Sequence, residues 1–333
     1  WLIHQKFELS IPLYRQEKEW EALGLRLSRA TMSNWLLVVY RDWLVHIVHR
    51  LKLELLKQRY LHIDETHVQV LKEPGRKNTS DSYMWVYCSI RDAVNSIRYF
   101  EYQPGRSGKY PEAFLREYEG YIHTDAYSGY NAVSGVKRCL CYTHLRRAFV
   151  DALPKDIHNS EASKPAEAIL RLNQLFNIES ELEALPPDQK KKERLIREKP
   201  LLEAFWSWAE KSAIGELPKS KLSKAFHYAL NNREGFWNYL EDGNCSISNS
   251  LAENCIRPFV IGRKNWLFSG SPKGAEASAG IYTLVETAKA NGLAPMKYIK
   301  YILSDMPGSA FLEHPEYLDD YLPWNPLVKE FCR

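Results

Sequence analysis

Tyr60-Leu61-His62-Ile63-Asp64, continued by Val68-Gln69-Val70-Leu71, is the stretch on which the fold turns. Ahead of it the apolar residues recur at helical spacing; from Arg59 they alternate, the period of a strand with one face turned inward. A turn rich in Pro74, Gly75, Asn78 and Ser80 follows. Strand patterns at Tyr83 to Ile90 and Ile97 to Tyr102, joined through Asp92 to Asn95, complete three hairpin-linked strands. Next come a helical pattern at Tyr110 to Glu119, short strands at Tyr121 to Thr124 and Arg138 to Tyr142, and a helix at His144 to Leu153. A meander followed by β-α units predicts an α/β fold around a mixed sheet.

Upstream, residues 14 to 57 read as helices: Tyr14 to Leu23, a turn at Gly24-Leu25-Arg26-Leu27, then a helix that the Ser28 hydroxyl can cap. The second helix sets Thr31, Trp35 and Val38 on one side and leaves Arg29, Ser33 and Asn34 to face outward. That is helix-turn-helix grammar, with the second helix able to enter a DNA major groove; an ordinary helical hairpin packed on a core fits the same pattern. Downstream, strand signals vanish between Pro154 and about Phe236, which reads as a helical insertion carrying Lys190-Lys191-Lys192 as a solvated face. Segment 248 to 304 is expected to hold short helices and one hairpin. The tail from Pro307, with Pro315, Pro323 and Pro326, is expected to wrap around the rest.

Composition narrows the classes. The 333 residues suggest about two structural units, and 45% apolar residues can fill a sizeable core. Lys and Arg (45) exceed Asp and Glu (41) by only four, so any basic surface must come from local clustering. The 10 Trp, 20 Tyr and 12 Phe suit a core and base stacking equally. Six cysteines, Cys88, Cys139, Cys141, Cys245, Cys255 and Cys332, lack framework spacing, which points to a reducing compartment. The longest apolar run, Trp35 to Tyr40, is far too short to span a bilayer. The chain opens at Trp1 without a signal-like start and reads as a fragment of a longer protein.

Chemistry can lie with three acids. Asp64 and Asp125 each close an apolar β stretch, and if the fourth strand lay beside the first, their like charges would call for a cation between them. Strand-end turn residues are the plain alternative, and alternation leaves open whether Asp64 or Glu65 faces the cluster. The third acid is Glu253, in Ser250-Leu251-Ala252-Glu253, which also fits a capping box and an ion pair with Arg257. Beyond it, Val260 to Ser271 interleaves cations with aromatics on an expected hairpin. There Arg257, Arg263 and Lys264 can hold phosphates, while Trp266 and Phe268 are expected to fill the core rather than stack on bases. Cys141-x-x-His144 lacks the second ligand pair that tetrahedral zinc wants. His62, His67 and His123 flank the acids and can serve as supporting groups.

These motifs, in this order, make the chain recognisable. Leu13-Tyr14-Arg15-Gln16, Leu27 to Thr31, His62-Ile63-Asp64-Glu65-Thr66, Tyr83 to Tyr87, His123 to Asn131, Cys141 to His144 and Gly262 to Phe268 together resemble the transposases of the bacterial insertion-sequence-66 family. That family belongs to the DDE class, with a ribonuclease-H-like catalytic domain. The resemblance implies that Asp64, Asp125 and Glu253 bind the metal, that two Mg²⁺ ions serve with Mn²⁺ as substitute, and that Cys141 and His144 are structural or positioning residues. It implies a DNA-binding helical segment at 1–57, a core split between 58–153 and 237–291, a helical insertion at 154–236, and a C-terminal helix and tail at 292–333. Arg29, Ser33, Asn34, Arg257, Arg263 and Lys264 would contact double-stranded DNA, both terminal repeats and target. A homodimer on DNA, helper proteins of the same element and a cytoplasmic, nucleoid-associated place are further implications, with no membrane role.

Two departures qualify the likeness. The cysteine-rich, zinc-finger-like segment of many members is missing before Leu13, so end recognition is expected to be incomplete. Ala126 follows Asp125 where Gly is common, a change that leaves the chemistry intact. Two other functions use the same residues: a metal-dependent nuclease that does not join strands, and a non-catalytic DNA-binding remnant.

Overall fold

The computed structural model describes residues 1–154 and 163–333. In chain order the main elements are α1 (Leu13–Ala22), α2 (Arg29–Val39), α3 (Val45–Leu56), β1 (Tyr60–Val70), β2 (Asp81–Ser89), β3 (Arg98–Gln103), α4 (Lys109–Phe114), β4 (Gly120–Thr124), β5 (Val136–Leu140) and α5 (Tyr142–Val150). There follow α6 (Lys164–Glu181), α7 (Pro187–Glu193), α8 (Lys199–Ala213), α9 (Lys221–Asn231), α10 (Arg233–Trp237), α11 (Ser250–Trp266), β6 (Phe268–Ser269), α12 (Pro272–Ala290), α13 (Pro295–Asp305) and α14 (Pro326–Cys332). They divide into two compact units, one of residues 1–118 with 251–333 and the other of 119–250.

The first unit is built on the meander that the alternating pattern predicts. β1 pairs antiparallel with β2 and β2 with β3, and β6 adds a short parallel pairing at the far end of β1, so the sheet is mixed. The two stretches expected as separate strands form one, because Glu65 to His67 continue the ladder opposite Trp85 to Tyr83. β3 is an edge that would otherwise expose its backbone. The hydroxyls of Thr283 and Thr287, one turn apart on α12, accept from Phe100 N–H at 2.8 Å and Arg98 N–H at 3.0 Å. On another sheet face, Phe114 of α4 stacks on Tyr87 with centroids 3.6 Å apart.

Several expectations about the helices need correction. α2 runs almost without break through a wider turn at Tyr40–Leu44 into α3, whose Ile47, Val48, Leu51 and Leu55 are buried. Its inward stripe is Met32 and Leu36, four residues apart, while Thr31 and Trp35 are exposed; Ser28 does cap it, accepting from Thr31 N–H at 3.1 Å. Residues 260 to 266 belong to α11 and not to a hairpin, and segment 248–304 holds three long helices. The tail contributes Leu318, Tyr321, Leu322 and Val328 to the core, and Asp319 accepts from Arg50. It is structural filling as well as wrapping, since its apolar side chains lie at helical spacing.

In the second unit β4 and β5 run parallel, and the helices from α6 to α10 follow. The start of the expected insertion, residues 155–162, lies outside the described residues. The lysine run is not simply a solvated face. Lys190 approaches Glu179 at 3.3 Å, and the next turn buries Arg194 completely. Arg194 donates twice to Glu179 and to the carbonyls of Tyr239, Asp242 and Cys245, so one guanidinium ties α6 to the 239–245 loop.

Beside this group, burial and the nearby Glu179 charge raise the carboxyl of Glu198 to about 8, and Tyr239 donates to it at 2.6 Å. An unfolded carboxyl titrates near 4.5, so between the two values the folded chain holds a proton that the unfolded chain has lost. That stabilisation is complete below about 4.5 and disappears as pH rises through about 8. Urea midpoints are therefore expected to fall from pH 5 to pH 9, and Glu198→Gln is expected to flatten the decline. An unchanged slope in the variant would remove Glu198 as its source.

Candidate active site

Strand geometry settles which acid of the pair on β1 faces which way. Residues directly opposite on paired strands share a face, and His62 lies opposite Cys88, Asp64 opposite Val86, and Thr66 opposite Met84. Glu65 is on the other side, where its carboxylate is buried against Arg106 at 2.6 Å. The face of Asp64 is the one that α11 follows. Cys255 hydrogen-bonds the Cys88 thiol, which burial pushes well above its ordinary range, and Arg263 donates to Thr66 at 3.1 Å. The eight-residue step from Cys255 to Arg263 spans about 12 Å of helix. The four-residue step from His62 to Thr66 spans about 13 Å of strand. Helix and strand therefore run alongside each other, with Asp64 midway. Glu253, half-buried, sits half a turn before Cys255 in the first turn of α11.

α11 holds its course despite Pro258, because Ala252, Ile256, Phe259 and Gly262 form a buried stripe at helical spacing. Gly262 is required by closeness: a Cβ there would lie 2.1 Å from the Trp266 ring and 2.4 Å from the Tyr282 hydroxyl. Of the cations on this helix, Arg257 and Lys264 are exposed. Arg263 is half-buried, and burial lowers its pKa. Arg29 and Asn34 on α2 are exposed and Ser33 is half-buried.

The second unit holds Asp125 at the end of β4. Its Oδ1 accepts from Tyr127 N–H at 2.9 Å, which folds the chain into a tight turn. Arg138 on β5 fixes that turn, donating to Thr124 Oγ1 at 2.7 Å and to the carbonyls of Asp125 and Tyr127 at 2.6 and 2.8 Å. Tyr228 of α9 faces the same place: burial, then the Asp125 charge, raises its pKa, and its hydroxyl meets the Ala126 backbone. Neither Arg138 nor Tyr228 stands out in the sequence, since what marks them is tertiary contact with a turn far away in the chain. Cys141 is buried, and its sulfur accepts from Asn249 N–H at 3.1 Å, a structural contact; His144 is half-buried on α5.

His123, Cys139 and Cys245 form a second cluster here, buried, with ligand atoms within 4.8 Å of one another. The hydrogen bonding opposes a cation. Ser246 N–H donates to His123 Nε2 at 2.9 Å, so a neutral ring carries its hydrogen on Nδ1 and has no lone pair left. The neighbouring Cys139 and burial both push the Cys245 thiol upward, away from the thiolate a metal needs. His67, for its part, lies against Asp81 at 2.7 Å on the face opposite Asp64.

Comparison with known proteins adds the decisive observation: the family model described as "Transposase IS66 family" matches residues 1–277, which include all three acids. The chain belongs to the IS66 family of transposases. Its relatives include three proteins of Sinorhizobium fredii that carry the name uncharacterized protein. Of these, y4hP is 27% identical over 345 residues, covering 97% of this chain and 60% of the relative. For y4qI the figures are 28% over 341 residues, 96% and 60%. For y4jD they are 26% over 340 residues, 97% and 64%. The chain thus spans somewhat under two thirds of the IS66-type relatives it matches. No solved structure matches it. Among the described residues, no helix is long and apolar enough to cross a membrane.

Proposed function

We propose that this chain is the catalytic part of a DDE-class DNA transposase with a ribonuclease-H-like core, which cuts a strand at the end of its element and joins the freed 3′-hydroxyl to target DNA. What carries the reading is that a chain of the transposase family sets Asp64 on the sheet face followed by the helix whose first turn bears Glu253.

Asp64, Asp125 and Glu253 would hold the divalent cations. Three carboxylates are hard oxygen donors, the set that Mg²⁺ takes and Mn²⁺ accepts. When bound, such cations polarise the phosphodiester and neutralise charge at the attacking and leaving oxygens. Water is the nucleophile for cutting and the 3′-hydroxyl for joining, so no bond to the enzyme forms and the chain's task is placement. Arg138 keeps the Asp125 turn rigid, as a ligand must be held before its cation arrives. Arg257, Lys264 and Arg29 offer exposed charge for DNA phosphates, with Ser33 and Asn34 beside Arg29. Two element ends must be handled together, which calls for a homodimer on double-stranded DNA, with helper proteins of the element as further partners.

The test uses the chain, a labelled duplex ending in the element's terminal repeat, a target plasmid and Mg²⁺ or Mn²⁺. Joined product is expected. Asp125→Asn and Glu253→Gln should each lose cleavage while still binding the duplex. Cleavage without joining identifies a nuclease, and wild-type rates in both variants would refute the assignment of the acids.

A further inference from the structure

A cavity of about 690 Å³ opens within the first unit, between the start of α2, the turn after β1 and the segment from Trp266 to Gly270. One wall is aromatic. Phe268 is 45% exposed, which corrects the expectation that it fills the core. Trp266 beside it is half-buried, backed by Tyr282 at 6.1 Å and Phe259 at 6.4 Å between centroids, with Lys6 Nζ 5.5 Å from its own. Lys6, Arg29 and Lys72 line the cavity, and no described lining residue is acidic; just outside it, Glu17 accepts from the Arg29 backbone N–H at 2.9 Å and pairs with its guanidinium at 4.0 Å. The floor is the start of α12, a 19-residue helix whose Gly274 N–H is capped by Ser271 at 3.2 Å. Helix N-termini favour anions. Lys72 and Leu267, both lining residues, hold φ of 59° and 69°, a region that non-glycine residues seldom adopt. The pairing of β6 with β1 imposes this, with Leu71 N–H on Ser269 O at 2.9 Å.

We propose that this cavity receives one unpaired nucleotide of a DNA strand, its base against Phe268 and its phosphate between the start of α12 and the cations of Lys6 and Lys72. The inference rests on the reading of the chain as a DNA transposase and adds a site outside its three acids. Shape and chemistry both point to it. The volume falls within the ~300–1,000 Å³ of pockets that enclose a small molecule, too small to admit a duplex. An exposed ring stacks on a base only if the base's own face is free, which excludes a base inside a stacked helix. Lys6 and Lys72, with Arg29 already paired to Glu17 and a helix N-terminus below, ask for an anion beside that ring. Lys6 sits where burial lowers its pKa to about 8, and a phosphate next to it would favour the charged form that burial opposes.

The test measures binding by the full chain without divalent metal, using labelled dT6, free thymidine monophosphate as competitor and a blunt 20-base-pair duplex. Phe268→Ala is expected to weaken dT6 binding about tenfold and leave duplex binding within twofold, while Phe268→Tyr restores dT6 binding. Lys72→Ala should reduce the salt dependence of dT6 binding by about one phosphate contact. Equal dT6 affinity in wild type and Phe268→Ala overturns the proposal, and thymidine monophosphate competing as well as dT6 overturns its assignment to a strand. If dT6 behaves as expected but the duplex does not bind at all, the cavity stands and the transposase reading is what fails.

Discussion

Arg194→Ala is expected to destabilise the fold by about 3–5 kcal/mol, the usual cost of removing one partner from a buried ion pair. The cost comes from the groups that Arg194 leaves behind. Glu179 keeps Lys190, at 3.3 Å, and its hydrogen bond with Glu198, while the carbonyls of Tyr239, Asp242 and Cys245 lose their shared donor in a place without room for bulk water. Restoring packing without charge should recover much of the loss: Arg194→Met combined with Glu179→Leu removes both charges, leaving the three carbonyls without their donor and Lys190 and Glu198 without Glu179. Urea unfolding of the single and double variants gives the comparison. A loss below about 1 kcal/mol in Arg194→Ala would show that the network is dispensable.

Arg194 also shows where reading the sequence stops. It sits in Lys190-Lys191-Lys192-Glu193-Arg194, a string that looks like any solvated helix face, and nothing local distinguishes it from Lys191 and Lys192, which are exposed. Only the loop fifty residues on, bringing three carbonyls together, makes it internal. The meander was readable because each strand announces itself by alternation and each turn by its Gly, Pro and Asn residues. The second half of α11 reads locally as a hairpin for a different reason. Pro258, Gly262 and the β-branched pair Val260-Ile261 argue locally against helix, and the packing of Ile256, Phe259 and Gly262 on the core overrides them. The stripe at 252, 256, 259 and 262 was the available signal. Asp64 and Glu253 could be singled out from the sequence as candidates, but the face each occupies depends on strand register and helix direction.

That register yields the sharpest functional prediction, since Asp64 and Glu65 are adjacent, equally charged and turned to opposite sides. Asp64→Asn should reduce metal-dependent strand cleavage by more than ~100-fold, beyond the cost of altering a group that only supports a ligand. Glu65→Gln should keep cleavage near wild type. Its penalty is expected in stability, about 1–3 kcal/mol, because the buried carboxylate bound to Arg106 is replaced by a neutral amide. Cleavage rates and urea midpoints of the two variants, measured side by side, therefore separate a residue that holds the cation from one that holds the sheet. The reverse result, cleavage lost in Glu65→Gln and kept in Asp64→Asn, would mean that chemistry takes place on the opposite face from the one α11 follows. It would also remove Glu253 as the third acid, since α11 follows the face of Asp64 and Glu65 looks the other way.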